Sequence, residues 1–131
     1  MPPHRRASGD LFIRAQISGI LCQAGFQKLA ALEKEVNNKR IDSATKIGFA
    51  ATNIFEPAIA MSKDQIGGYI GMAAIYELLG VKAKCHEFAK RGLLELQKIK
   101  QSAAGQAMRH STVFPPDMLD QEERQLRGYL E

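Results

Sequence analysis

Residues 66–79 read IGGYIGMAAIYELL, and Glu77 is the single charge in these fourteen positions. A helix built from them is apolar or small on every face, so it belongs inside a protein. Gly67, Gly68, Gly71, Ala73 and Ala74 let neighbouring backbones approach closely, and Tyr69, Met72, Ile75, Tyr76, Leu78 and Leu79 supply material to bury. The rest of the chain reads as packing around this helix. Gly80 closes it, and residues 81–100 place Val81, Cys85, Phe88, Ala89, Gly92, Leu93, Leu96 and Ile99 on one stripe. Lys84, Lys90, Arg91 and Lys98 lie away from that stripe, which makes this the clearest amphipathic helix in the sequence. Two helices joined by so short a connection are expected to form an antiparallel hairpin.

Upstream, residues 1–9 carry two prolines and little to bury, and read as a flexible lead-in. Ser8 or Asp10 can cap a helix in which Leu11, Phe12, Ala15, Ile17, Ile20, Leu21 and Ala24 recur at helical spacing. Residues 26–36 repeat the pattern with Leu29, Leu32 and Val36 against Lys28, Glu33, Lys34 and Glu35. Gly25 leaves two outcomes open, one long helix or two arms of a hairpin, because an internal glycine costs only about 1 kcal/mol. Asp42 or Ser43 is expected to cap the next helix, and Pro57 to kink or divide it. Ser62 with Gln65 has the form of a capping box for the helix at residues 66–79.

Downstream, residues 101–116 are polar and small and then apolar with Pro115 and Pro116, and read as a loop. Asp117 can cap a last helix over residues 117–131, whose acidic residues precede Arg124 and Arg127 as the helix dipole favours. Its apolar side, Met118, Leu119, Leu126, Tyr129 and Leu130, is expected to dock on the helical domain at residues 10–100. There it acts as a permanent last helix, a plug over a groove, or an element exchanged with a second copy. No run alternates as a strand would, so the fold class is all-α with five to six helices.

The hairpin at residues 66–99 resembles one tetratricopeptide repeat. With Tyr76 on the aromatic position of the first helix, Tyr69, Met72, Ala73 and Gly80 fall on the bulky, leucine, small and turn-glycine positions. In the second helix Leu93 agrees, while Cys85, Ala89, Gly92 and Gln97 depart from the usual residues. The resemblance implies a helical-hairpin array that binds peptides or proteins. A compact helical bundle is the other architecture the pattern allows.

Length and composition set the outer bounds. A chain of 131 residues fits one domain that buries roughly two thirds of its unfolded surface without staples. Cys22 and Cys85, far apart and each within a helical pattern, suit two buried thiols in a reducing compartment, so the cytoplasm is the default location. The run after His4, Arg5 and Arg6 is broken by Asp10, Arg14 and Gln16, unlike a secretory signal, and residues 66–79 are too few to span a bilayer. The formal charge of +4 is segregated: residues 81–110 hold seven basic and two acidic groups, residues 111–131 two and five.

Catalytic patterns are missing from the sequence. His4, His86 and His110 lie far apart, without cysteines at metal-ligand spacing, so neither metal nor cofactor is expected. Gly67, Gly68 and Gly71 follow no strand and precede no Lys-Ser/Thr pair, which marks them as packing glycines. Glu77 is expected to find a partner among nearby lysines. The leading expectation is a small non-enzymatic interaction module, an adaptor or chaperone-like binder of a protein or peptide, with self-association as a near neighbour. Tyr69, Tyr76, Lys84, Lys90, Arg91 and Lys98 are its candidate partner-binding residues. The alternative is a nucleic-acid binder using the basic face of residues 82–100, which lacks interleaved aromatics.

Overall fold

The computed structural model describes residues 3–102 and 118–131, with side chains from residue 9 onward. Within them the chain is all-helical: α1 (Pro3–Asn37), α2 (Ile41–Met61), α3 (Ile66–Leu78), α4 (Lys82–Gln101) and α5 (Met118–Gly128). Among these, α3 touches each of the other four, while no backbone of α1 or α2 comes close to α4 or α5. The molecule is thus an α1–α2 hairpin and an α3–α4 hairpin, with α5 added against α3 and α4. The small residues of α3 are what permit this. Ile66, Tyr69, Ile70, Met72, Ala73 and Ile75 are all buried, and Leu32, Phe55, Leu96 and Leu126 converge on them from the four surrounding helices.

The two tight turns share one geometry. After α3, the Val81 N–H donates to the Tyr76 carbonyl (2.8 Å) and the Gly80 N–H to the Glu77 carbonyl (3.1 Å), with Gly80 at φ +76°. After α1, the Arg40 N–H donates to Glu35 (2.9 Å) and the Lys39 N–H to Val36 (3.0 Å), with Lys39 at φ 59°. Both are Schellman ends, in which a left-handed residue satisfies the last helical carbonyls. Glycine takes that conformation freely, and lysine does not.

Several local points are decided or corrected. Of the two outcomes left open at Gly25, α1 takes the single long helix, because the Phe55 ring of α2 fills the space in front of that glycine and joins the two halves of α1 to one neighbour. It also reaches back to Pro3, over the stretch expected to be a lead-in; a proline at the first helical position has no N–H to leave unpaired. Asp42 and Ser43 do not cap α2. Arg40 ends the α1 turn and its carbonyl already accepts the Ala44 N–H at 2.9 Å, so both residues lie inside the helix. Pro57 neither ends nor divides α2, since it and Asn53, whose carbonyl it cannot serve, both face solvent. Ser62 closes α2 through its N–H to Ala58, and Gln65 is the N-cap of α3 without a side-chain bond, so the capping box is not formed. Glu77 is exposed, which removes any need for a buried partner.

The segment 101–116 read as a loop, and Asp117 read as a cap, lie outside the described residues, apart from Gln101 at the end of α4 and Ser102 after it. α5 packs in cis: Leu126 is fully buried and Leu119 nearly so. The Leu126 methyls stand about 3 Å from where Gly92 would carry a Cβ, so the missing side chain on α4 makes the seat for α5. Lys100 of α4 pairs with Asp120 (2.7 Å) and Glu123 (3.5 Å) at the rim.

Candidate interaction surface on the first helix

α1 has 35 residues and α2 has 21, so the hairpin cannot be flush. The buried Ser18 hydroxyl donates to the Ala58 carbonyl at 2.7 Å, which places Ser18 beside the last turn of α2. N-terminal to that point α1 has no α2 alongside it, and every residue from 9 to 17 is exposed. Exposed there or just beyond are Leu11 (68%), Phe12 (63%), Ile13 (53%), Ile17, Ile20 (65%) and Phe26. Such a run of apolar side chains in water, concentrated on one segment, is the mark of an interaction surface rather than of scattered surface residues.

Beside this run, where α1 passes the start of α3, lies a groove of about 590 Å³. Its walls are Gln16, Gly19, Ile20, Cys22, Gln23 and Phe26 of α1, with Gln65 at the N-cap of α3. Apolar carbon from Ile20 and Phe26 is thus set among three carboxamides, each able to donate and accept hydrogen bonds. Phe26 is held in place by an edge contact with Phe55, their ring centres 5.1 Å apart. The Cys22 thiol is pushed up to about 11 by burial, which keeps it protonated and unreactive at neutral pH. What this arrangement can do is bind an extended or helical apolar segment, with the amides reading its main chain.

The residues singled out from sequence are elsewhere. Tyr69 is only 2% exposed, because its Cβ fills the space in front of Gly92 where α3 meets α4; its ring is not available to a partner. Tyr76 is half-buried and stacks on Phe88 at 5.8 Å. Arg91 lies over Phe88 (5.0 Å) and Tyr69 (5.8 Å), so the structure brings Tyr69, Phe88 and Arg91 together at a shallow groove of about 290 Å³. Lys84 pairs with Glu87 (3.5 Å) and Lys98 with Glu95 (3.3 Å), while Lys90 is exposed. With Lys100 engaged by α5, much of the positive charge of α4 is answered by carboxylates of the same chain.

A second groove, of about 620 Å³, lies where α5 meets the start of α3 and the end of α4, and it brings Asp64, Glu95 and Glu122 near Lys98. Burial raises the Glu122 carboxyl above its ordinary value. At the opposite end of α5, Glu77, Lys82, Cys85, His86 and Tyr129 line a pocket of about 310 Å³. Burial, and then the Glu77 charge, raise the Cys85 thiol, so no thiolate is stabilised there. Both cysteines are free and buried. Among the described residues no group of three or more His, Cys, Asp or Glu side chains is placed to hold a metal ion, and no helix is long and apolar enough to cross a membrane.

The groove on α1 is not evident from the sequence, where Leu11, Phe12, Ile17 and Ile20 look like the core stripe of an ordinary first helix. Comparison of the chain with protein-family models, with curated proteins and with solved structures returned no match.

Proposed function

We propose that the protein is a small non-enzymatic interaction module that holds an apolar segment of a protein or peptide against α1 and the α1–α3 groove. The observation that carries this is the set of six large apolar side chains, from Leu11 to Phe26, left exposed on one helix. Fully burying a side chain of this size contributes roughly 1.5–3 kcal/mol, so covering most of this run supplies a driving force that can be set against the cost of association. The glutamine carboxamides supply orientation without charge, which suits a neutral apolar segment better than a polyanion. Two helical hairpins joined through α3 are compatible with a tetratricopeptide-like array and equally with a compact helical bundle as the framework. Two buried thiols suit the reducing cytosol as its location.

The test is photocrosslinking in the protein's own cells, with a photoreactive residue in place of Gln16 and, as control, in place of the exposed Lys90 on α4, a helix that does not touch α1. A discrete adduct with another protein from position 16 and none from position 90 is the expected result. Equal labelling from both positions, or none from position 16, would refute the assignment.

A further inference from the structure

The outward side of α1 carries a pattern of which the groove uses only Ile20. Ile13, Ile17, Ile20 and Ala24 follow one another at intervals of four, three and four residues, the spacing of a coiled-coil seam. Ser18, Cys22 and Gly25, which face α2 and α3, are buried, and the seam lies on the other side of the helix. Ile13 is 53% exposed, Ile17 37% and Ile20 65%, with Ala24 half-buried, so among the described residues the seam is left largely uncovered. The seam positions carry no charge from Ile13 to Gln27. Opposite charges stand at its two ends: Asp10 occupies the position before Ile13, and Lys28 follows Gln27 at the far end.

We infer that α1 of one copy pairs antiparallel with α1 of a second copy along Ile13, Ile17, Ile20 and Ala24. The occupant is a second copy because the seam is complementary to itself only when reversed. A two-fold axis between Ile17 and Ile20 sets Ile17 against Ile20 of the second copy and Ile13 against its Ala24, so large and small side chains interleave. The same axis brings Asp10 next to Lys28 of the second copy, and this contact occurs twice. In a parallel pair Asp10 would face Asp10 and Lys28 would face Lys28. The overhang of α1 beyond α2 leaves its N-terminal part open to approach, since residues 9–17 are all exposed. From Asp10 to Lys28 the paired length is about 28 Å at 1.5 Å per residue. A contact of that length is short for a specific interface, so the dimer is expected to exchange with monomer. This pairing shares Ile20 with the groove, and Ile13 and Ile17 with the exposed run behind the proposed partner binding; sedimentation of the purified chain alone reads the pairing separately from a crosslink to another protein.

The test is sedimentation of the full chain over a concentration series, with circular dichroism to confirm that each variant is folded. The wild type is expected to shift from monomer to dimer, and Ile17→Lys with Ile20→Lys to remain monomeric while still showing a helical spectrum and a cooperative melt. Asp10→Lys alone and Lys28→Asp alone should each weaken the dimer at least severalfold, while mixing the two variants should restore it as a heterodimer. A wild type that is monomeric throughout, a dimer indifferent to the Ile17 and Ile20 changes, or a mixture that fails to associate would overturn the inference. Association of the Asp10→Lys variant as strongly as the wild type would overturn the antiparallel register.

Discussion

The Phe55 ring stands where Gly71 would carry a Cβ, and its other side faces Gly25 with a ring atom 2.6 Å from that glycine's missing Cβ. One aromatic side chain of α2 therefore sets the spacing of α1 and α3 at once. Gly71→Ala gains helix propensity worth about 1 kcal/mol, but it drives a methyl group into a fully buried ring, and overpacking of this kind costs about 1–3 kcal/mol. Net destabilisation is expected in urea unfolding, larger for Gly71→Ala than for Gly25→Ala. Adding Phe55→Leu should recover part of the loss. A neutral or stabilising Gly71→Ala would show that the helices are not held at this distance.

Lys39 ends α1 in the left-handed conformation that Gly80 adopts at the end of α3. An L-residue in that conformation costs roughly 1–2 kcal/mol, and glycine returns some of the difference through unfolded-chain entropy. Lys39→Gly should therefore stabilise the protein by about 0.5–1 kcal/mol, while Gly80→Ala should destabilise it. The denaturation midpoints of the two variants are expected to move in opposite directions.

Burial raises the Glu122 carboxyl above its ordinary value of 4.5, in the groove it shares with Asp64, Glu95 and Lys98. The folded state thus holds this proton more tightly than the unfolded chain. Its contribution is most favourable below about 4.5 and is lost as pH rises through the raised folded value. Glu122→Gln should raise the melting temperature at neutral pH, and the gain should fade as pH falls into the ordinary carboxylate range. A gain that stays constant with pH would assign the effect to something other than ionisation.

The sequence made α3 legible because its composition admits one environment: small and large apolar residues on every face, followed by a glycine at the turn. The α3–α4 hairpin follows from the stripe on α4 and the single-glycine break. What escaped the sequence depended on length and contact. Gly25 reads as a break until Phe55 is seen against it, and once α1 is continuous its 35 residues must overhang the 21 of α2. The exposed apolar run at residues 11–17 arises from that mismatch, so Phe12 was indistinguishable from a core residue. Tyr69 drew attention as an aromatic at a repeat position, yet Gly92 makes room for it in the core. Of the basic residues of α4, Lys100 meets its carboxylate partners, Asp120 and Glu123, on a helix remote in sequence, while Lys84 and Lys98 pair three residues away within α4 itself.

The central claim is that the apolar residues of α1 are exposed for association and contribute little to the fold. It is tested most directly by placing Phe12→Ser and Ile20→Ser together in the chain that carries the photoreactive residue at position 16. Crosslink yield and thermal unfolding are then measured on the same variant. Both side chains are more than 60% exposed, so the melting temperature should stay within the small range typical of surface substitutions, while the adduct disappears. Persistence of the adduct, or a marked fall in melting temperature, would contradict the account.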